Sequence, residues 1–193
     1  MAKPDHNSLY RVAESRGGYF TTHEALQAGF SSGLLSYHAA KGQFERVAHG
    51  IYRLGRFPAS PYEDLFIAQI RTGPRSVISH ESALGLYDLT DALPTQVHST
   101  VPRTASRRRS GIRLHTKQIR SSEITEREGL RVTTVPRTIA DVARAGLAEE
   151  FVRQAIQQAI SRGLATPAEL RAASEKYGGR AAQIIGRALR AAE

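Results

Sequence analysis

Residues 18–54 constrain the chain more than any other stretch, because every piece has a local cause and the pieces come in a meaningful order. Tyr19 and Phe20 give a short apolar entry. Thr21 is placed to cap a helix and Glu24 follows three residues later, the reciprocal pair of a capping box. Gly29 suits the residue after a helix end, where a positive φ is needed. Ser31 or Ser32 then caps a second helix that carries Leu34, Leu35 and Ala39 inward and ends before Gly42. Phe44, Val47, Ile51 and Tyr52 predict two strands turning at His49-Gly50. Helix, turn, helix, β-ribbon is the layout of a winged helix-turn-helix.

In that layout the second helix lies in the major groove and its early residues meet base edges. With Leu34 and Leu35 in the core, Ser32, Ser36, Tyr37 and Lys41 are left toward solvent. Ser31 sits at the helix N-terminus, which favours a phosphate. The helix carries one lysine and no arginine, so the wing has to supply more of the electrostatic attraction. Arg46, His49, Arg53 and Arg56 are the residues expected on the DNA backbone or in the minor groove. A winged helix used for protein contact is the competing reading.

Composition narrows the partners. A net charge of +9 favours a polyanion, nucleic acid first. Hydrophobic residues at 40% are enough for a real core, and charged residues at 23% argue against a disordered chain. No apolar run approaches the ~18 residues needed to span a bilayer, and Met1 to Asn7 has no apolar signal region. Cysteine is absent, which excludes disulfides and thiolate metal sites. A cytoplasmic location and no membrane partner are expected.

Phe57-Pro58-Ala59-Ser60-Pro61 reads as a linker, giving an expected winged-helix domain over 1–56 and a mixed α+β domain over 62–193. In the second domain the periodicity predicts helices over Tyr62 to Arg71, within Val77 to Leu89 opening near Ser79, and from Arg137 to Arg144. Strands are expected at 96–101, 111–115 and 130–135, the last closed by Pro136. Leu147 to Ala192 is alanine-rich and helical in period, with Phe151, Ala155, Ile156 and Ile160 as one stripe and a helix start at Thr166-Pro167 with Glu169. Between the first two strands lies a basic turn holding Arg107, Arg108 and Arg109. Two readings of it stand: a grip on a second stretch of nucleic acid, or a hairpin turn kept soluble by arginine.

Enzyme signals are weak. His80-Glu81 lacks the second histidine of H-E-x-x-H and reads as ordinary first-turn residues after Ser79. There is no P-loop. The seven histidines are scattered, so no catalytic residue, metal set or cofactor is expected. The segment Thr133 to Thr138 could hold a phosphate at a helix start, although Thr138 and Asp141 more simply serve strand-to-helix geometry.

Four motifs in order carry a family resemblance. They are Gly18-Tyr19-Phe20-Thr21-Thr22 leading to Gly29; Phe44-Glu45-Arg46-Val47-Ala48-His49-Gly50-Ile51-Tyr52-Arg53; Ser79 to Leu86; and Leu130 to Asp141. Together they sample most of residues 9–145, and the chain resembles the AbiEi antitoxins of type IV toxin–antitoxin (abortive infection) systems. The resemblance implies a bacterial or archaeal transcription regulator whose winged helix binds inverted repeats in its own promoter as a repressor. It implies a second domain that counteracts a nucleotidyltransferase-type toxin without a stable complex. The Val132 to Asp141 segment also occurs in larger proteins that continue into a very-short-patch-repair-like nuclease; no D…E-x-K cluster follows Asp141 here. Two alternatives remain beside this reading: an interaction module that sequesters a toxin directly, and a nucleic-acid-binding accessory protein with no toxin partner.

Overall fold

The computed structural model describes residues 3–92 and 94–191. The outermost residues of the two expected domains, Met1, Ala2, Ala192 and Glu193, lie outside the described residues. The chain is an α+β protein that divides into two compact units, residues 1–71 with 128–130, and residues 72–127 with 131–193.

In the first unit, α1 (His6–Glu14) starts at Asp5, whose Oδ1 accepts the Ser8 N–H at 2.9 Å. Strand β1 (Tyr19–Thr21) runs directly into α2 (Thr22–Gln27). The capping box forms as expected: Thr21 Oγ1 accepts the Glu24 N–H at 3.2 Å and Glu24 Oε2 accepts the Thr21 N–H at 2.8 Å. Ser31 Oγ accepts the Leu34 N–H at 3.2 Å and opens α3 (Ser32–Ala40). Strands β2 (Phe44–Ala48) and β3 (Ile51–Leu54) turn at His49-Gly50, and the antiparallel sheet has the order β1-β3-β2. Its core is Leu9, Ala13, Phe20, Ala25, Phe30, Leu35 and Phe44, with the Phe20 and Phe44 rings 5.1 Å apart edge to face.

Helix α4 (Glu63–Thr72) was expected beyond the linker, yet it belongs with the first unit. Tyr19 explains this: its ring stacks on Phe66 at 5.0 Å and its hydroxyl donates to Glu63 at 3.1 Å. The linker itself is held close. Gly18 has φ +92°, and a Cβ there would come within 2.5 Å of Phe57 Cγ, so only glycine lets this segment approach.

The second unit carries a five-stranded sheet of order β6-β5-β4-β8-β7. Its members are β4 (Val77–Ile78), β5 (Val97–Thr100), β6 (Ile112–His115), β7 (Ile124–Arg127) and β8 (Leu130–Thr133). Strands β5 and β6 pair in parallel, so the segment between them is a crossover and not the expected hairpin turn. Strand β4 was hidden inside the expected helix region; it is two residues long and carries no periodicity to read. Strand β7 was not foreseen either. Strand β8 ends at Thr133, before the expected Val135, because Val135 and Pro136 already form the first turn of α6 (Val135–Ala145), where proline has no N–H to miss.

Helices α5 (His80–Tyr87), α7 (Glu149–Ser161), α8 (Pro167–Tyr177) and α9 (Gly179–Arg190) surround α6, which is buried along most of its length. The buried stripe of α7 is Val152, Ala155, Ile156 and Ala159, so Phe151 and Ile160 sit at its margins. The Thr166 start of α8 is as expected, with Thr166 Oγ1 accepting the Glu169 N–H at 3.2 Å.

Candidate nucleic-acid interface

Helix α3 buries Leu35 and half-buries Leu34, and this fixes its opposite face. Ser32, Ser36, Tyr37 and Lys41 are all exposed there. Tyr37 is 56% exposed, unusual for a tyrosine in a small core-forming helix, with the Lys41 ammonium 5.9 Å from its ring centroid. Ser36 Oγ donates to the Ser32 carbonyl at 3.1 Å, which keeps a small hydroxyl on the face. Ser31 is exposed but its Oγ is occupied as the helix cap. His38 turns the other way: its ring centroid lies 5.0 Å from that of Phe44 and 5.6 Å from that of Phe30.

The wing presents Arg46 and His49 side by side, with Nη2 and Nδ1 3.3 Å apart and both residues exposed, and Arg56 is exposed beyond β3. Arg53 needs correcting as a DNA-backbone residue. It is 7% exposed, its guanidinium pairs with Glu45, and it also donates to the Phe57 carbonyl. The cause is its strand: β3 is central, so Arg53 lies opposite Tyr19 on one side and Glu45 on the other. A cross-strand carboxylate takes the charge that the sequence pattern offered to a phosphate.

In the second unit, Arg107 and Arg108 are exposed on the β5–β6 crossover. Arg109 is turned back into it, Nη1 donating to the Arg107 carbonyl at 2.8 Å and the Ala105 carbonyl at 3.3 Å. Arg109 is therefore a brace for the loop.

The Thr133 to Asp141 motif forms a buried polar cluster. Thr138 Oγ1 lies 2.6 Å from Thr133 Oγ1 and 3.1 Å from the Thr133 carbonyl, tying the strand to the helix that follows. Arg137, 2% exposed, donates through Nε to Asp141 Oδ2 at 2.7 Å and through Nη1 to Glu123 Oε2 and the Tyr177 hydroxyl, both at 3.0 Å. Lys176 and the Tyr177 hydroxyl also reach Glu123 Oε1. Burial works against ionising Glu123, but the Lys176 and Tyr177 hydrogen bonds, the Arg120 N–H and the Arg137 charge outweigh it and hold the carboxyl down at about 2. The side chains of Thr133, Thr138, Arg137, Asp141 and Glu123 are paired with one another, which fits a structural role for them.

The fold also gathers three histidines that looked scattered in sequence. His98 and His115 lie on neighbouring strands β5 and β6, and His80 is the first residue of α5, two positions past β4. The expectation for Ser79 was an ordinary helix cap; its hydroxyl makes no cap bond and instead meets His80 Nδ1 at 3.0 Å and accepts from Thr100 at 2.8 Å. The signal available in sequence was slight: a histidine at an alternating position in each of two strands, separated by the crossover.

Residues 7–55, the winged helix, match the family model described as transcriptional regulator, AbiEi antitoxin. No curated protein matches the sequence significantly. Among solved structures, the RV2827C protein from Mycobacterium tuberculosis is similar in fold, with a TM-score of 0.58 at 13% identity over 94% of this chain and 74% of that one. That identity speaks to fold alone. Among the described residues, no helix is long and apolar enough to cross a membrane.

Proposed function

We propose that this chain is a cytoplasmic transcriptional autorepressor and antitoxin of the type IV kind. In this reading it binds double-stranded DNA in its own promoter and counteracts a nucleotidyltransferase-like toxin, with no catalysis of its own. The observation that carries the DNA reading is the α3 face: four polar residues, Tyr37 foremost, are exposed beside the free cations of the wing. The match of this same segment to a regulator family supports it. Ser32, Ser36, Tyr37 and Lys41 are assigned to the major groove, with the Ser31 end of the helix toward a phosphate. Arg46, His49 and Arg56 are assigned to the backbone, and Arg107 and Arg108 to an accessory phosphate contact.

Fluorescence anisotropy with a labelled duplex from the chain's own upstream region, against a shuffled duplex, tests this over a salt series. The upstream duplex is expected to bind more tightly. Tyr37→Ala should shrink the preference between the two duplexes, while Arg46→Ala should weaken both and lower the salt slope by about 1. Equal binding of both duplexes by the unaltered protein would overturn the repressor reading. For the antitoxin role, co-expression with a neighbouring nucleotidyltransferase gene should restore growth, and the two proteins should not co-purify. Co-purification through high salt would replace the type IV reading with direct sequestration.

A further inference from the structure

We propose that His80, His98 and His115 form a binding site for a divalent transition-metal ion, zinc by its ligand preferences. The sheet places two of them: in the parallel β5–β6 register Thr100 lies opposite His115 and His98 opposite Arg113, so His98 and His115 point to one face. Helix α5 packs over β5 on that face and brings its first residue, His80, to the pair. One ring nitrogen from each histidine lies within 4.8 Å of the others. The His80 and His115 rings are stacked with centroids 3.5 Å apart, and His98 stands 5.2 Å from His115.

Two of the ring nitrogens are left unpaired inside the cluster. His98 Nδ1 and His115 Nε2 are buried and have no hydrogen-bond partner. An unmet buried polar atom costs about 1–3 kcal/mol, so two in one cluster point to something that fills them. The far sides of the rings are held in the manner of metal ligands. Glu81 Oε2 accepts from His98 Nε2 at 2.8 Å, which leaves the His98 lone pair on Nδ1. Ser79 Oγ accepts from Thr100 at 2.8 Å and lies 3.0 Å from His80 Nδ1, so Nε2 is the His80 ring nitrogen that Ser79 does not engage. His80 also has φ +54°, the left-handed region that non-glycine residues rarely enter, so the backbone is strained in placing this ring.

The donor set selects the ion. Three imidazoles with the one carboxylate behind them suit zinc and its neighbours in the series; magnesium and calcium require oxygen ligands. Tetrahedral zinc needs its nitrogens ~3.3 Å apart, so the widest pair closes by about 1.5 Å from 4.8 Å on binding. Three protein ligands leave one coordination position for water or another donor.

The test uses the full chain without a histidine tag, stripped with a chelator and titrated with Zn²⁺ in competition with a chromophoric chelator, and with Co²⁺ followed by visible absorption. One ion per chain is expected, with a cobalt spectrum of tetrahedral intensity and a rise in Tm on adding zinc. His115→Gln should abolish uptake, Glu81→Gln should weaken it 10–100-fold, and His23→Gln with His49→Gln should leave it unchanged. Circular dichroism on each variant guards against misfolding, and the wild-type titration decides independently of any variant. No uptake tighter than about 100 μM by the unaltered protein, or undiminished uptake by folded His115→Gln, overturns the site.

Discussion

The wing and the β8–α6 junction each present an arginine among small and β-branched neighbours, and in sequence the two look alike. In the structure they do opposite things. Arg46 stands exposed beside His49 with no carboxylate partner in its hydrogen bonds, while Arg137 is 2% exposed and enclosed by Asp141, Glu123 and the Tyr177 hydroxyl. An exposed arginine keeps its charge available to a polyanion. A buried one spends it on the carboxylates that burial would otherwise strand. Arg53 shows how short the distance between the two fates is: it lies on the same ribbon as Arg46 yet behaves like Arg137, because a central strand puts Glu45 across from it.

The contrast is sharpest at Arg137. Replacing it with Met leaves Asp141 buried without its cation and Glu123 with Lys176 alone, and urea denaturation should show a loss of about 3–5 kcal/mol. A loss under about 1 kcal/mol would mean the cluster is not the brace described here. Next in size is Arg53→Ala, expected to lower stability by about 1–3 kcal/mol through the Phe57 carbonyl it leaves unpaired and the packing lost at a buried position. Arg46→Ala should stay within about 0.5 kcal/mol. If thermal melts show the reverse order, the assignment of Arg53 to the interior fails. Glu123 gives a pH signature. Its carboxyl is held at about 2, below the ordinary 4.5, so its contribution is complete above 4.5 and is lost as pH falls toward 2. Glu123→Gln should flatten the acid limb of the stability curve across that window; an unchanged limb would assign acid unfolding elsewhere. Smallest is the crossover: Arg107→Ala with Arg108→Ala should leave the Tm within a degree or so while modestly reducing the salt slope of DNA binding. No change in slope would confine the interface to the first unit.

The winged helix was legible almost residue by residue because its determinants are local. The Thr21–Glu24 box, the Ser31 cap, Gly29 and the His49-Gly50 turn each act within a few positions. The second unit was legible in its helices and much less in its sheet. The parallel pairing of β5 with β6 and the brevity of β4 depend on partners far along the chain, which no local pattern announces. The candidate sites divide along the same line. The exposed face of α3 followed from knowing which leucines are buried, whereas the fate of Arg53 required the strand order, and the gathering of His80, His98 and His115 required the whole sheet.

One topological fact bears on how the protein is made. The winged-helix sheet closes within residues 19–54, with β1 and β2 both pairing to β3. Strand β4, at the centre of the larger sheet, pairs through Ile78 with Val132 on β8. A ribosome therefore delivers everything the small sheet needs before β4 has been translated, and must continue to β8 before β4 can gain its second neighbour. Non-local pairing of this kind is slow and leaves edges open while it waits. The two sheets thus differ in birth order: the small one can form on the nascent chain, and the larger one depends on a segment added more than fifty codons after β4.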